Sequence, residues 1–313
     1  MRNFLEKLPR RLLRWVAFWL PAERRRELER RLRGWEQHAK LRRADVVVVS
    51  FGKSGRTWLR VLLSRYYQLR YGLSERHLLG FDNLHARRRA IPRIFFTHDN
   101  YVQDYTGNRG SKRDFYDKRV ILLVRSPQDV AVSQYFQWRH RMKPAKAALN
   151  AYPSQRDDVS MYDFVMGEGG GMPRIIDFMN LWAREIGKVR DSLVVRYEDL
   201  RGDPVGTFRQ VVRFVGEPAE EATLREAVAY ASVENMRALE ARRFFWWGGR
   251  LKPKDRSNPD SYKVRRAKAG GYRDYFSPEE VGAMDALVRA RLAPFYGYGK
   301  DDSDTGIGAT PTG

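Results

Sequence analysis

The apolar residues of this chain fall into short unbroken runs, and the segment after each run has a different spacing. Residues 46–49 are four consecutive valines, which is typical of a strand covered on both faces. After the next turn the spacing becomes helical, with apolar side chains at Trp58, Leu59, Leu62, Leu63 and Tyr66. The stretch of residues 45–63 therefore predicts a strand, a turn and the start of a helix.

Further apolar runs predict three more strands, at residues 93–98, 119–125 and 192–197. Helix signals lie between the runs, with Gly72 as a stop and Ser126 followed by Pro127 as a start. A later helix begins at Asp203 and closes at Gly216. Strands that alternate with helices imply right-handed crossovers and a parallel sheet. We predict a three-layer α/β/α fold that binds its ligand at the carboxyl ends of the strands.

The first 43 residues differ from the rest of the chain. They contain fourteen Lys or Arg and five Asp or Glu, so +9 of the formal net charge of +21 lies there. Apolar side chains share one helical stripe, at Phe4, Leu8, Leu12, Trp15, Val16 and Trp19. Such a helix lies in a membrane interface or packs on its own domain, and both alternatives stay open. We expect a basic helical extension at 1–43, an α/β domain at 44–299 and a disordered tail at 300–313.

The composition limits the class of protein. A chain of 313 residues with 42% hydrophobic content can bury a sizeable core. A pI near 10.3 favours polyanionic partners such as nucleic acid, an anionic membrane or a polyanionic substrate, although basicity also serves solubility alone. The absence of cysteine excludes disulfides and thiolate metal sites. No apolar run approaches the length of about 20 residues that a membrane-spanning helix needs.

The turn after the first predicted strand has the composition of an anion site. Gly52 and Gly55 let the backbone approach a ligand closely. Free N–H groups at the helix start and the positive end of its dipole point at the same place. Lys53 and Arg56 add positive charge. A Walker A loop would require glycine at the position of Val47, so this loop is shorter than a Walker A loop.

This turn resembles a signature of the sulfotransferases that use 3′-phosphoadenosine 5′-phosphosulfate (PAPS). Those proteins bind the 5′-phosphosulfate with the element P-K-S-G-T-T-W, and five of its positions match here, at Lys53, Ser54, Gly55, Thr57 and Trp58. Gly52 replaces the proline and Arg56 the first threonine. The resemblance implies that Lys53 and the five residues after it, Arg56 included, bind the cofactor, with Trp58 stacked on the adenine.

A second element follows the third predicted strand. A guanidinium that leaves a strand can bind a phosphate bidentately, and a hydroxyl about two helical turns later can reach the same group. Arg125 and Ser133 have this spacing, which is similar to the family's 3′-phosphate element R-x-P-x-D-x-x-x-S at every fixed position. The resemblance implies that both residues bind the 3′-phosphate. Without it, the stretch is a helix cap followed by an ordinary helix serine.

His98 ends the second predicted strand. A histidine in such a place is commonly a structural residue, but Phe96-Thr97-His98 resembles the K-T-H segment that carries the general base of the family, with phenylalanine in place of lysine. Imidazole suits this role because its ordinary pKa of about 6.5 allows it to take a proton near neutral pH. The resemblance implies a catalytic set of His98, Lys53 and Ser133.

Two later segments extend the resemblance to about residues 45–297. Tyr197 is similar to a tyrosine that helps to hold the adenosine. Arg265, Arg266 and Ala267 lie in a segment that resembles R-K-G-x-x-G-D-W, so the resemblance implies that they contact the cofactor phosphate. Ala267 departs from the family's glycine, and a solvated basic run is the alternative explanation of this segment.

The resemblance implies the P-loop NTPase-like sulfotransferase fold and an in-line sulfuryl transfer. His98 takes the proton of the acceptor hydroxyl, and Lys53 stabilises charge on the bridging oxygen of the leaving group. Ser54 and Thr57 hold the 5′-phosphate. We expect no metal, because the sequence has no clustered His, Asp and Glu ligands and its Lys and Arg can neutralise the charge.

The acceptor is less defined. Residues 244–247 form an aromatic block that suits a substrate lid, a membrane-contacting patch or buried core. Together with the N-terminal helix it suggests a small-molecule, lipid-linked or glycan acceptor at an anionic membrane surface. We expect a cytoplasmic protein, with contact to the cytoplasmic face of a membrane and self-association into a homo-oligomer as open alternatives.

Two other functions fit parts of the sequence. A P-loop-like kinase is disfavoured by Val47 and by the arginine that ends the third strand, where a Walker B aspartate would stand. A nucleic-acid-binding protein would explain the charge of +21, but the charge is spread along the chain without an RNA or DNA module, so we expect no specific nucleic acid partner.

Overall fold

The sheet agrees with the strands that the sequence predicts. The computed structural model describes residues 19–245, 255, 260, 262–264 and 267–299. Within them lies one parallel sheet of four strands in the order β2-β1-β3-β4. The strands are β1 (Val46–Val49), β2 (Ile94–Thr97), β3 (Arg119–Val124) and β4 (Asp191–Arg196). Val46 of β1 pairs with Ile94 on one side and with Arg119 on the other. The predicted α/β fold with a central parallel sheet is confirmed.

Helices connect and cover the strands. The α-helices of the described residues are α1 (Ala22–Arg43), α2 (Arg56–Tyr71), α3 (Val102–Thr106), α4 (Pro127–Phe136), α5 (Pro144–Leu149), α6 (Met161–Met166), α7 (Met172–Glu185), α8 (Tyr197–Gly202), α9 (Pro204–Phe214), α10 (Glu221–Tyr230), α11 (Val233–Ala241) and α12 (Pro278–Arg291). A π-helical segment, Gln137–Arg141, continues α4. Short 3-10 helices lie at Arg113–Phe115, Ile186–Lys188, Gly271–Asp274 and Pro294–Tyr296.

The sheet separates two hydrophobic clusters, because successive strand residues point to opposite faces. Val47 and Val49 belong to a cluster with α4, α6, α7 and α12. Val46 and Val48 belong to a cluster with α2, α9 and α10. All four valines are buried, as a strand covered on both faces requires. The chain therefore has the predicted three layers.

The local signals for helix ends act as the sequence predicts. Gly72 adopts a left-handed conformation, with φ of 60°, and caps α2. The Ser126 side chain accepts a hydrogen bond from the backbone N–H of Asp129, and Pro127 is the first residue of α4. Tyr197, which the apolar run assigns to the end of the fourth strand, instead begins α8.

The described part of the predicted basic extension forms α1, and α1 packs on the domain. Gly34 lies so close to α3 that a Cβ there would overlap the carbonyl oxygen of Tyr101 and lie 2.7 Å from Cβ of Tyr105. Arg30 donates to the backbone oxygens of Leu149 and Asn100, at 2.9 and 3.1 Å. These contacts join the basic helix to the carboxyl edge of the sheet.

The remainder of the N-terminal stripe and the tail lie outside the described residues, at positions 1–18 and 300–313. Trp19, the last residue of the stripe, is 71% exposed. Across the part of the chain that is described, no helix combines the length and the apolar character needed to cross a bilayer.

The packing of α1 predicts an unusual response to alanine. Gly34→Ala improves helix propensity, but the added methyl meets the backbone of Tyr101, so we expect the free energy of unfolding to fall by about 1–3 kcal/mol. Urea denaturation followed by circular dichroism measures this change.

Gly282→Ala is the matched control, because Gly282 is an exposed glycine inside α12 with nothing within 4 Å of its added Cβ. This variant should be more stable by about 0.5–1 kcal/mol. Equal stabilisation by both substitutions would contradict the packing of α1 on the domain.

Candidate active site

A cavity of about 430 Å³ opens at the carboxyl edge of the sheet. The residues predicted to meet there follow three different strands, and Lys53, His98 and Arg125 all line this cavity. Tyr197, which follows β4, lines it as well. The parallel pairing of the strands therefore brings together side chains that are far apart in sequence.

The turn between β1 and α2 requires two left-handed residues. Gly55 has φ of 93°, and a Cβ there would lie 2.7 Å from Cδ2 of Tyr197. Lys53 adopts φ of 77°, which is uncommon for a residue other than glycine. The first turn of α2 follows directly, and the first N–H groups of a helix have no partner within the helix. The turn thus has the backbone of an anion site.

The predicted loop residues line the cavity with one exception. Gly55, Arg56, Thr57 and Trp58 line it together with Lys53, whereas Ser54 is buried and does not. The Trp58 ring meets the Tyr197 ring edge to face at 5.8 Å, and its Nε1 donates to the carbonyl oxygen of Ala231 at 2.9 Å. These contacts fix an aromatic wall.

The orientation of His98 follows from its backbone contact. Nδ1 lies 2.8 Å from the carbonyl oxygen of Ser50. A carbonyl can only accept, so Nδ1 carries the proton and Nε2 of the neutral ring holds the lone pair. Nε2 lies 2.5 Å from Nη2 of Arg56. Nε2 of His98 is therefore a proton acceptor that Arg56 contacts, and the carbonyl of Ser50, just after β1, orients the ring.

An ion pair supports the residue after His98. Asp99 and Lys112 lie 2.6 Å apart, and their side chains are only 2% and 5% exposed. Burial raises the pKa of the Asp99 carboxyl, and the Lys112 ammonium opposes that rise. Asp99 also has a left-handed φ of 53°. Sequence reasoning missed this pair, because Lys112 lies in a connecting segment without a recognisable pattern.

Arg125 is held by groups that face it from three directions. Its Nη2 lies 3.0 Å from Oδ2 of Asp129 and 2.8 Å from the carbonyl oxygen of Lys268. Its guanidinium lies 4.3 Å from the centre of the Tyr197 ring. Its Nε is buried without a hydrogen-bond partner among the described residues. Ser133 lines the same cavity from α4.

Asp129 connects Arg125 to the last wall of the cavity. An acid in the first turn of a helix commonly accepts hydrogen bonds from the N–H groups at that helix start, but the Asp129 carboxylate bonds elsewhere. Its two oxygens accept the backbone N–H groups of Gly270 and Tyr272, at 2.9 and 3.0 Å. Its side chain is 2% exposed. The role of Asp129 as a tether for this segment depends on contacts about 140 residues away and was not predicted.

The late basic segment is described in part. Ala267 lines the cavity with φ of 53°, whereas Arg265 and Arg266 lie outside the described residues. Glu240 of α11 holds the preceding backbone. It is fully buried and accepts the N–H groups of Lys263 at 2.9 Å and Val264 at 3.1 Å. This anchor was not predicted either.

The aromatic block is partly core. Phe245 is 2% exposed and packs with α2 and α9, and Phe244 packs against the same cluster. Trp246 and Trp247 lie outside the described residues. Within the described ranges, no group of three or more His, Asp or Glu side chains is arranged to hold a metal ion.

Comparison with known sequences identifies relatives over most of the chain. The family described as "Sulfotransferase domain" matches residues 43–295. Flavonol 3-sulfotransferase of Flaveria bidentis is 23% identical, with 82% of this chain and 84% of that protein covered. Cytosolic sulfotransferase 16 of Arabidopsis thaliana is 25% identical, with 82% and 78% covered.

Solved structures share the fold. A mouse sulfotransferase complexed with PAP has a TM-score of 0.52 at 18% identity, with 82% of this chain and 89% of that chain covered. Retinol dehydratase in complex with retinol and PAP has a TM-score of 0.54 at 16% identity, with 79% and 80% covered.

Proposed function

The chain belongs to the sulfotransferase domain family, and we propose that it uses PAPS to sulfate a hydroxyl or amine of an acceptor. The observation that carries this proposal is the convergence of Lys53, His98 and Arg125 on one cavity. Family membership also favours this function over the kinase and the nucleic-acid-binding protein.

The residues of the cavity fit the donor. The buried Nε of Arg125 has no partner among the described residues, so a phosphate oxygen there would satisfy it. Arg125 and Ser133 would hold the 3′-phosphate, and Tyr197 and Trp58 the adenosine. Lys53, Thr57 and the N–H groups that begin α2 would hold the 5′-phosphosulfate. PAP, which two solved structures of the same fold contain, is the product that remains after transfer.

The donor supplies a sulfuryl group bonded to a phosphate leaving group. The acceptor oxygen forms a new S–O bond while the S–O bond to the 5′-phosphate breaks, and PAP leaves with the bonding electron pair. The proton of the acceptor passes to Nε2 of His98, which holds the lone pair of the ring because Nδ1 is bonded to the Ser50 carbonyl. Lys53 stabilises the charge on the departing oxygen. Ser133, the third member of the predicted catalytic set, acts through the 3′-phosphate that it holds.

Arg265, Arg266 and Ala267 complete the proposed donor site. Asp129 and Glu240 anchor the backbone on either side of these positions, and Ala267 itself lines the cavity. Arg56, the first residue of α2, lines the cavity and contacts His98.

A small-molecule acceptor is the proposal for the other substrate, since relatives are named for flavonol and for retinol. A cytoplasmic location is proposed with it, since other relatives are named cytosolic sulfotransferases. The finer proposal is a lipid-linked or glycan acceptor at an anionic membrane surface. The basic residues 1–43 and the exposed Trp19 support it.

Arg125→Ala tests the donor site. We expect a loss of about 1.5–3 kcal/mol in PAP affinity, because a charge-assisted hydrogen bond is removed. Isothermal titration calorimetry with PAP measures this loss. Arg119→Ala, at the opposite end of β3, is the control that should keep its affinity. If the unmodified chain and both variants bind PAP equally well, the role of Arg125 is refuted. If the unmodified chain does not bind PAP, the proposal that PAPS is the donor is refuted.

His98→Ala tests the base. Turnover should fall about 10²–10⁴-fold while PAP affinity is retained, because proton removal is lost and donor contacts remain. Transfer of label from radioactive PAPS to acceptors in a cell extract, followed by identification of the product, gives the rate and the acceptor. His85→Asn, which lies outside the cavity, should keep its activity. A fully active His98→Ala protein would exclude His98 as the base.

Vesicle flotation of the full chain tests the membrane surface. We expect binding to vesicles that contain anionic lipid and none to zwitterionic vesicles. Replacing Arg10, Arg11 and Arg14 by Gln should weaken binding on the order of 100-fold, because each cation contributes about 1 kcal/mol near the surface.

The matched control replaces three exposed arginines of the domain, Arg87, Arg88 and Arg89, by Gln. This change should leave vesicle binding nearly the same. If the unmodified chain fails to float with anionic vesicles, the membrane proposal is wrong.

A further inference from the structure

The His98 side of the cavity is rich in cationic side chains. Arg56, Lys146 and Arg174 line the cavity in addition to Lys53 and Arg125. Among the described residues that line it, Asp129 is the only carboxylate, and its oxygens already bond to Arg125 and to two backbone N–H groups. The cavity as a whole is therefore strongly electropositive.

Arg174 is connected through Tyr152 and Gln134 to the part of the cavity where Gly52 and His98 lie. It donates to the carbonyl oxygen of Asn150 at 2.6 Å, and its guanidinium lies 5.5 Å from the centre of the Tyr152 ring. The Tyr152 hydroxyl accepts a hydrogen bond from Nε2 of Gln134, at 2.7 Å. A Cβ on Gly52 would lie 3.1 Å from Oε1 of Gln134 and 4.0 Å from Cε1 of His98. Arg174 thus belongs to the His98 side.

Lys146 reaches the same side from α5. Desolvation lowers the pKa of its ammonium, and the positive charges of Arg33 and Arg56 lower it further. The residue remains accessible to solvent, so a bound molecule could contact it. Within the described ranges, no carboxylate lies within 4.0 Å of the charged groups of Lys146 or Arg174, whereas Arg33 pairs with Glu29. These two cations face the cavity without a counterion from the described chain.

Arg56 links this charge to the base. Its Nη2 lies 2.5 Å from Nε2 of His98, where an acceptor hydroxyl must lie to give up its proton. Arg56 must therefore leave His98 before transfer. An anion beside the hydroxyl would attract the guanidinium away, since an ionic partner holds it more strongly than a neutral imidazole does.

We propose that the acceptor carries an anionic group, a carboxylate, phosphate or sulfate, close to the hydroxyl or amine that is sulfated. Lys146 and Arg174 bind this group, and Arg56 moves to it from His98. This inference rests on the proposed sulfuryl transfer and names the substrate class of that site. The anionic group takes no part in the bond changes; it positions the acceptor and frees the base.

Matched acceptor pairs test the inference. Initial rates with PAPS are measured for 3-(4-hydroxyphenyl)propanoate and its amide, methyl β-glucuronide and methyl β-glucoside, and glycerol 3-phosphate and glycerol. We expect kcat/KM for the anionic member of at least one pair to exceed that of its neutral partner by about 10-fold or more. Preference for the neutral members, or no turnover of any anionic member, would overturn the inference.

Variants connect the preference to the three cations. Lys146→Gln and Arg174→Gln should each lower kcat/KM for the anionic acceptor about 10-fold to 100-fold and leave the neutral one nearly unchanged. Arg56→Thr should also abolish the preference. Lys143→Gln and Arg184→Gln, exposed neighbours on the same two segments, are the controls that should behave like the unmodified chain.

The donor is measured in parallel, so that the two proposals fail in different ways. If Lys146→Gln and Arg174→Gln raise KM for PAPS as much as they weaken the anionic acceptor, their charges serve the donor and the inference is wrong. If PAP binds and only neutral acceptors react, the inference fails while the proposed function stands. If the unmodified chain neither binds PAP nor transfers sulfate, the proposed function fails as well.

Discussion

The parallel pairing of β1 with two neighbours is the constraint on which the site depends. Because β1 pairs with β2 on one side and β3 on the other, the residues that follow these strands meet at one edge. Lys53, His98 and Arg125 occupy those three places. The hydrophobic content of the strands stabilises this arrangement, since both faces of β1 are covered. Cation placement is therefore a consequence of core packing, and the helices on either side contribute indirectly to substrate binding.

Sequence patterns predicted the features that depend on neighbouring residues. Valine runs, the Gly72 stop and the Ser126 cap are local signals, and each appears in the structure. The ordered motifs also placed most of the candidate site, because parallel strands present their carboxyl ends together. Tyr197 was misassigned to a strand since its apolar ring continues the run, although its backbone already belongs to a helix.

The residues that were missed act over long distances. Asp129 looked like part of a helix cap, yet it bonds to backbone about 140 residues later. Glu240 lies in a helix where an acid is unremarkable in sequence, and only the fold reveals that it is fully buried. Gly34 carries no sequence signal, yet the fold places it against the backbone of Tyr101. No periodicity encodes such partners, because they depend on which surfaces the finished fold brings together.

The Glu240 anchor has a consequence for how this protein can diversify. The Glu240 carboxylate accepts the backbone N–H groups of both Lys263 and Val264. The end of α11 and the backbone at residues 263 and 264 therefore stay fixed in relation to each other. Phe244 and Phe245 lie between α11 and this backbone and pack in the hydrophobic core, so they are under a separate constraint. Divergence of this protein is therefore limited at position 240, because a side chain without two acceptor oxygens there would release the backbone of Lys263 and Val264.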